Sequence, residues 1–191
     1  YRHVNAKVAV AKLEELRKIK PDYPVEATAA EIMLNDGKYA EALKWYNMAN
    51  PANMSEDNFY NYGFAAYITK DYSKALDVAK QGLTKFPGSE YLSRIAMMAA
   101  VELKDYAQAV NFANAVFAGK GKKVSNDYDM CAKALCGNKQ YDEAVVAVNK
   151  ALELDANNLE PMKTLAAIYV AQGNDDKALE VQQDYLSKSK K

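Results

Sequence analysis

GKYAEAL at residues 37–43 is the first of five related phrases that decide the fold of this chain. The others are KDYSKAL (70–76), KDYAQAV (104–110), KQYDEAV (139–145) and GNDDKAL (173–179). The sixth place of each phrase is an alanine, and successive alanines are 33, 34, 35 and 34 residues apart; they are Ala42, Ala75, Ala109, Ala144 and Ala178. A period this constant indicates a tandem repeat, in which each unit is one supersecondary element that stacks on its neighbours.

Each repeat is predicted to contain two helices. In the unit from 56 to 89, small or apolar residues recur at intervals of three and four on both sides of a break at 69–71; they are Phe59, Tyr62, Gly63 and Ala66, then Ala75, Val78, Ala79 and Leu83. This spacing places one buried stripe on each helix. Ser55 and Ser89 suit helix N-caps, and Pro87 ends the helix before it. No segment alternates as a strand does, so the predicted fold class is all-α.

Small side chains recur where two helices are expected to cross. They stand twelve residues before the shared alanine, at Ala30, Gly63, Ala132 and Ala166, and seven residues after it, at Ala49, Gly82 and Ala151. A small residue at a crossing lets two backbones approach closely. The aromatic residues three places before the alanine are predicted to wedge between units; they are Tyr39, Tyr72, Tyr106 and Tyr141.

With a small residue and a tyrosine in the first helix, alanine and an aromatic in the second, and proline at the end, this pattern resembles the tetratricopeptide repeat. The resemblance implies a right-handed superhelical solenoid of antiparallel helix pairs, about eleven helices in a single domain over 1–191. Its units are a half repeat (1–22) and five repeats near 23–55, 56–89, 90–124, 125–158 and 159–191. Met97, Val116 and Asp175 depart from the pattern, and the first two predict a looser or differently angled third junction.

Composition excludes several classes of partner. The 191 residues include 25 basic and 25 acidic side chains, and this balance offers no electrostatic footprint for nucleic acid or an anionic membrane surface. No apolar run approaches the roughly 20 residues that span a bilayer. We therefore expect no nucleic-acid partner and no membrane insertion. Cys131 and Cys136 point to different sides of a helix and are interpreted as core thiols.

The sequence offers little for catalysis. Its single histidine is His3, and it contains no HExxH, no paired CxxC and no phosphate-binding glycine loop. The lysine-rich loop at 119–123 is interpreted as a solvated turn, with anion binding as the alternative. Acidic pairs are assigned to helix starts and polar faces. We expect a protein that is not an enzyme and uses no cofactor or metal.

The resemblance to the tetratricopeptide repeat also implies a binding surface. In that family the second, fifth, sixth, ninth, twelfth and thirteenth positions of the first helices line a concave groove for a partner peptide. The candidate residues here are Tyr60, Asn61, Phe64, Tyr91, Arg94, Met98, Met130 and Lys133. The same positions also hold Thr28, Glu31, Asn35, Asp57, Tyr67, Ile68, Ile95, Val101, Glu102, Asn126, Asp129, Cys136, Gly137, Lys163, Thr164 and Ala167.

Two interpretations of these side chains stay open. Aromatic and methionine residues are frequent at binding hot spots, yet the same rings can pack between the first helices of neighbouring repeats. For Tyr60, Phe64 and Arg94 both interpretations are kept, whereas Tyr67 and Ile68 are expected to pack. The basic clamp with which some members of the family hold acidic chaperone tails is not expected here, because its places hold Ala27, Glu31, Tyr91 and Ile95.

The leading hypothesis is a non-catalytic scaffold that binds a peptide segment of a partner protein in the groove. The second is a structural or oligomerisation module that associates with further copies through exposed terminal helices, and the third is the regulatory repeat region of a larger protein. The chain begins at Tyr1 within a repeat, which favours truncation of a longer protein over a bare end that associates. No signal-like segment is found, and the compartment is left open.

Overall fold

The computed structural model describes residues 5–190, and His3 lies outside this range. The described residues form eleven α-helices, one 3-10 turn at Pro51–Asn53 and no strand, which confirms the all-α prediction. The helices are α1 (Ala6–Ile19), α2 (Val25–Asn35), α3 (Tyr39–Met48), α4 (Glu56–Ile68), α5 (Tyr72–Lys85), α6 (Glu90–Glu102), α7 (Tyr106–Ala118), α8 (Ser125–Gly137), α9 (Tyr141–Leu154), α10 (Glu160–Ala171) and α11 (Asp175–Lys188).

Each of the five phrases forms the corner between two helices. Its first residue has a positive φ in all five copies: Gly37 (74°), Lys70 (64°), Lys104 (60°), Lys139 (63°) and Gly173 (74°). The next residue donates its N–H back across the corner, as in Asp71 N to Ala66 O at 2.9 Å. This left-handed residue with a hydrogen bond from the following N–H is the Schellman motif that ends a helix. The repeated phrase therefore begins where the first helix of each pair stops.

The second residue of the phrase starts the next helix. The side chains of Asp71, Asp105 and Asn174 accept hydrogen bonds from backbone N–H groups three residues further on. Ser55 and Ser89 do the same before α4 and α6, each at 3.1 Å, so their prediction as N-caps is confirmed. These oxygens satisfy backbone donors that a helix cannot satisfy itself.

The chain divides after Ile95 into two compact units, which we call unit 1 and unit 2. In unit 1, α2 packs against α3 and α4 against α5; in unit 2, α8 packs against α9 and α10 against α11. We call the first helix of each pair, together with α6, the A helices, and the second helices the B helices. The central residues of the unit 1 core are Ala30, Tyr46, Met54, Phe59, Val78 and Leu92, and those of unit 2 are Ala132, Ala144, Val148, Leu165 and Ile168.

The small residues lie at close helix contacts, as predicted. The five shared alanines are almost completely buried. A Cβ atom added to Gly63 would lie 2.9 Å from Cγ2 of Ile95, and one added to Gly82 would lie 2.7 Å from Cδ1 of Leu92. In unit 2 the ring of Tyr106 lies directly against Gly137, which confirms the predicted wedge for this tyrosine. These contacts are closer than any larger side chain allows.

Two of the departures from the repeat pattern are interior residues. Met97 and Val116 are both fully buried in unit 2, so their extra volume is accommodated within the packing.

The lengths and compositions of the helices also address membrane insertion. No described helix combines the length and the apolarity that a membrane span needs.

Candidate binding surfaces on the A helices

Four aromatic rings of unit 1 touch one another in a row, which we call the aromatic strip. Tyr39 meets Phe64 edge-on at 6.2 Å between ring centroids, and Phe64 stacks on Tyr60 at 6.2 Å with an interplanar angle of 15°. Tyr60 meets Tyr91 edge-on at 5.9 Å and 71°. Such offset and edge-to-face arrangements are the favoured geometries of aromatic pairs.

The helices explain why these rings meet. Tyr60 and Phe64 are four residues apart on α4 and therefore share one face. Tyr91 is the second residue of α6, and Tyr39 is the first residue of α3. Tyr60 and Phe64 are partly buried, whereas Tyr91 is 60% exposed. The strip is thus both packed and accessible, so the two interpretations kept for Tyr60 and Phe64 each describe part of it.

The charges beside the aromatic strip are neutralised within the protein. The Arg94 guanidinium lies 5.8 Å from the Tyr91 ring centroid, and its nitrogen is 3.9 Å from the Glu90 carboxylate. On the neighbouring helices, Asn58 donates from Nδ2 to Glu31 at 2.5 Å. The surface therefore presents aromatic faces, tyrosine hydroxyls and one paired cation.

Asn61 faces a buried phenol. Tyr46 stacks on Tyr62 at 5.1 Å, and its hydroxyl is enclosed in the core. Burial, and then the negative charge of Glu31, raise the pKa of Tyr46 above its ordinary value, while the Asn61 side chain acts in the opposite direction. Burial also raises the pKa of Tyr62, whose hydroxyl donates to Asn47 at 2.5 Å. Both phenols stay neutral at physiological pH.

Unit 2 has a pocket on its A helices, which we call the A-helix pocket. Its volume is about 450 Å³. Eight of its ten lining residues occupy the groove positions that the resemblance to the tetratricopeptide repeat implies, and the other two are Tyr106 and Glu160. The eight are Val101, Glu102, Lys133, Cys136, Gly137, Lys163, Thr164 and Ala167. A concave site of this size can hold one or two side chains of a ligand.

The A-helix pocket is rich in charge. Lys133 Nζ lies 2.7 Å from Oδ2 of Asp129, whose side chain is only 4% exposed. Lys163 Nζ lies 2.5 Å from Glu160 and 5.4 Å from the ring centroid of Tyr185. Hydrogen bonding to Glu160, and then to Tyr185, raises the pKa of Lys163, so this lysine stays charged at any physiological pH.

Two buried oxygens at or near this pocket have no hydrogen-bond partner. They are Oγ1 of Thr164, which lines the pocket, and Oδ1 of Asp129, which lies beside Lys133. Buried polar atoms of this kind are uncommon in folded proteins and often mark a place where a ligand or water completes the bonding.

The two free cysteines lie on different surfaces of unit 2. Cys136 lines the A-helix pocket, whereas Cys131 lines a second, shallower pocket of about 630 Å³ beside α9, with Val146 and Lys150. Burial raises the pKa of Cys131 to about 11 and also raises that of Cys136. Both thiols are therefore protonated near neutral pH, and each is a slow but separate chemical reporter of its surface.

The structure brings four of the eight candidate residues together, namely Tyr60, Phe64, Tyr91 and Arg94. Lys133 lies in the A-helix pocket, and Met98 is half-buried on α6. Met130 is only 8% exposed and belongs to the interior of unit 2, so its side chain offers almost no surface to a partner. The signal that separates Met98 from Met130 is burial, which spacing alone does not predict.

Tyr67 and Ile68, which are both expected to pack between first helices, differ in their contacts and exposure. Tyr67 contacts Tyr72 on α5 with ring centroids 5.3 Å apart, a contact within its own helix pair, so the expected packing between neighbouring A helices stays a prediction. Ile68 is 44% exposed, so the expectation that it packs is wrong. Ile68 is the last residue of α4, and the helix corner follows at once, which leaves its side chain without a neighbouring turn to cover it.

Sequence reasoning did not count Tyr39, Tyr106 and Glu160 among the site residues. Tyr39 and Tyr106 occupy the third place of the repeated phrase, where we predicted only a ring wedged between successive repeats. In the structure Tyr39 extends the aromatic strip, and Tyr106 forms a wall of the A-helix pocket. Among the described residues, no group of three or more histidine, cysteine or acidic side chains is arranged to hold a metal ion.

Residues 135–189 match the family model described as tetratricopeptide repeat. The sequence matches no curated protein. The predicted resemblance to this family is confirmed for the C-terminal repeats by that match and for the fold of the chain by solved structures.

Three solved structures illustrate the likeness. MamA from Desulfovibrio magneticus RS-1, from residue 41 to its end, has 20% sequence identity and a TM-score of 0.75; the match covers 87% of this chain and 94% of that one. A tetratricopeptide repeat protein from Parabacteroides merdae ATCC 43184 has 17% identity and a TM-score of 0.72, over 96% and 73% of the two chains. MamA AMB-1 has 17% identity and a TM-score of 0.73, over 86% and 98%. At sequence identities this low, these structural matches establish a common fold alone.

Proposed function

We propose that this chain, which has the tetratricopeptide-repeat fold, is a non-catalytic scaffold that binds peptide segments of partner proteins on its A helices. The observation that carries the proposal is the A-helix pocket, because eight of its ten lining residues are groove positions that the resemblance to the tetratricopeptide repeat implies. This overlap between the groove positions of the family and a concavity on the A helices supports the proposal. The aromatic strip supplies a second contact surface on α4 and α6 of unit 1.

The chemistry of the two surfaces suits peptide binding. The partly exposed tyrosines offer large contact area together with a polar group, a combination that is frequent at hot spots. The A-helix pocket adds fixed charges, since Lys133 and Lys163 are each held by a carboxylate. Paired charges orient a partner and select its register more than they raise its affinity.

Selection from a random peptide library tests this function directly. Peptides selected on the whole chain are measured by calorimetry against a unit 1 variant, Tyr60→Ala/Phe64→Ala, and a unit 2 variant, Lys163→Ala/Ala167→Glu. We expect at least one of the two variants to lose about tenfold in affinity for a given peptide, since hot-spot losses exceed about 1 kcal/mol. Val146→Ala and Met48→Ala, at exposed B-helix positions outside both surfaces, are the matched controls.

The native cysteines show where a selected peptide sits in unit 2. A peptide in the A-helix pocket is expected to slow alkylation of Cys136 and to leave that of Cys131 unchanged. Because burial raises both pKa values, the labelling is done above pH 8, where the thiolate fraction is larger. The proposal is wrong if no peptide is selected, or if all selected peptides bind both groove variants as well as the wild type.

Self-association is a second candidate function, favoured by apolar side chains exposed on α1 and α11. Val8 on α1 and Leu179 and Leu186 on α11 are each 54% exposed. Light scattering over a concentration series tests this function, with Val8→Glu and Leu186→Glu as variants. Self-association predicts an assembly that one or both of these charges dissociate, whereas a monomer at every concentration contradicts it.

A further inference from the structure

Resting on the peptide-binding function proposed above, we propose that the aromatic strip recognises a proline-rich segment in the extended polyproline II conformation. The strip comprises Tyr39, Phe64, Tyr60 and Tyr91, with Arg94 beside its last ring. Three properties of this surface carry the inference: the shape of the ring row, the kind of polar groups it offers, and the small number of those groups.

The ring row has a corner at each end and a stacked pair of rings between the two corners. Tyr60 and Tyr91 meet at 71°, and Tyr39 and Phe64 at 75°, so the rings form corners instead of a flat sheet. Neighbouring ring centroids are 5.9 to 6.2 Å apart. A polyproline II helix rises about 3.1 Å per residue, so two residues advance by about 6 Å. This advance matches the distance between neighbouring ring centroids, so flat, rigid pyrrolidine rings can pack into the two corners and against the stacked pair, Phe64 and Tyr60, between them.

The polar groups of the strip can all donate hydrogen bonds, although the tyrosine hydroxyls can also accept them. Tyr60 and Tyr91 carry hydroxyls, and the nearby Arg94 carries only N–H groups, while its charge is already opposed by Glu90 at 3.9 Å. A polyproline II segment has unpaired backbone carbonyls and, at each proline, no N–H. Its acceptors thus complement the donors of the strip, and it brings no charge that the strip would have to neutralise.

The scarcity of polar groups favours a partner that is already ordered. Fixing an ordinary residue costs about 1–2 kcal/mol of conformational entropy, and the strip has few hydrogen bonds to offset this cost. A proline-rich segment is largely extended before it binds, so it loses less entropy per contact. Addition of a β-strand is not available here, because the described residues contain no strand whose edge a peptide could join.

Calorimetry with defined peptides tests the inference on the whole chain. A capped oligoproline peptide is expected to bind, and a capped glycine–serine peptide of equal length is not. Tyr91→Ala should weaken the binding of oligoproline by about fivefold, and Tyr91→Phe, which keeps the ring, by about threefold. Met48→Ala is the matched control, because Met48 is as exposed as Tyr91 and lies outside the strip. Since Tyr91 is exposed, its variants are expected to keep the wild-type melting temperature.

The outcomes separate this inference from the function on which it rests. No binding of oligoproline at millimolar concentration, or equal binding by wild type and Tyr91→Ala, overturns the inference. If library peptides then bind the strip and lose affinity in Tyr60→Ala/Phe64→Ala without being rich in proline, the scaffold function stands and only the proline preference falls. If no peptide of any class binds, both fall.

Discussion

The two units share one repeat architecture but present different chemistry on their A helices. In unit 1 the surface is a row of aromatic rings beside the ion pair of Arg94 with Glu90, and it presents aromatic faces and hydroxyls. In unit 2 the corresponding positions form a pocket with two lysines and two glutamates. The difference teaches that the repeat dictates where a contact residue stands and leaves its chemistry free.

At the buried positions the chemistry is not free, because small residues recur at the same places in the repeats. Of the substitutions considered, leucine at Gly82 should destabilise the protein most, because even a Cβ atom there would approach Leu92 and Phe59 to 3.0 Å or less. We expect Gly82→Leu to lower the free energy of unfolding of unit 1 by about 3 kcal/mol. Fluorescence of Trp45, the single tryptophan, reports unit 1 during chemical denaturation.

Gly88→Leu is the matched control for this change, since nothing lies within 4 Å of a Cβ atom at that position. It should leave the denaturation midpoint within error of the wild type. A Gly82→Leu midpoint as high as that of Gly88→Leu would show that the α4–α5 contact is not the close crossing described here.

The equivalent test in unit 2 is Ala144→Leu. Ala144 is completely buried among Ala132, Val148 and Leu165. The larger side chain has to be accommodated by shifts of α8 and α9, at an expected cost of about 1–3 kcal/mol. Thermal melting followed by far-ultraviolet circular dichroism measures the loss. A neutral Ala144→Leu, with Val146→Leu on the exposed face as control, would contradict the packing assigned to the shared alanine.

The next largest difference between the two units is expected when a basic side chain is removed from an ion pair in each of them. Lys133→Ala leaves the carboxylate of Asp129 buried without its cation, whereas Arg94→Ala leaves Glu90, whose side chain is 16% exposed and can gain water. After allowance for the exposure of the lysine, we expect a loss of about 1–2 kcal/mol for Lys133→Ala and less than 1 kcal/mol for Arg94→Ala. Chemical denaturation at low and high salt measures both.

Asp129→Asn supplies the control for the buried pair. If the loss in Lys133→Ala comes from the stranded carboxylate, the double variant Asp129→Asn/Lys133→Ala should be more stable than Lys133→Ala alone. A double variant that loses the sum of the two single losses would mean that the two side chains act independently.

The smallest expected effects concern the helix corners. Gly37 and Gly173 have φ near 74°, where an L side chain is strained, so Gly37→Ala should cost about 1 kcal/mol. Lys70→Gly and Lys139→Gly relieve that strain but give the unfolded chain more freedom, and the two terms nearly cancel to a change within about 0.5 kcal/mol. Melting temperatures of the three variants measure the contrast. A large loss in Lys139→Gly would show that the lysine side chain itself stabilises the corner.

Periodicity was sufficient to predict the helices, the corners and the buried small residues, because each follows from local spacing. The corner at 69–71, the N-caps Ser55 and Ser89, and the buried Ala144 all lie where the repeat pattern places them. These features need only a chain that repeats the same short-range pattern and the same contact to its neighbour.

The candidate site could be predicted less completely, because side-chain exposure depends on neighbours that the pattern does not contain. Met98 and Met130 both occupy groove positions, but Met130 is buried. Tyr39 reaches the strip from the start of a B helix, where the pattern predicts only packing. The pairing of Lys133 with Asp129, one helical turn away, is visible in the sequence spacing, whereas the burial of that carboxylate is not.

The helix corner determines which residues of each repeat can be substituted without disturbing the fold. Its left-handed residue, its capping oxygen and its buried alanine all belong to one seven-residue phrase, as in Lys70, Asp71 and Ala75. Most residues of the two proposed binding surfaces lie on the preceding helix, outside that phrase. Recognition can therefore diverge from copy to copy while the architecture is inherited intact, and new preferences for ligands can be engineered into α4 or α10 without redesigning the scaffold.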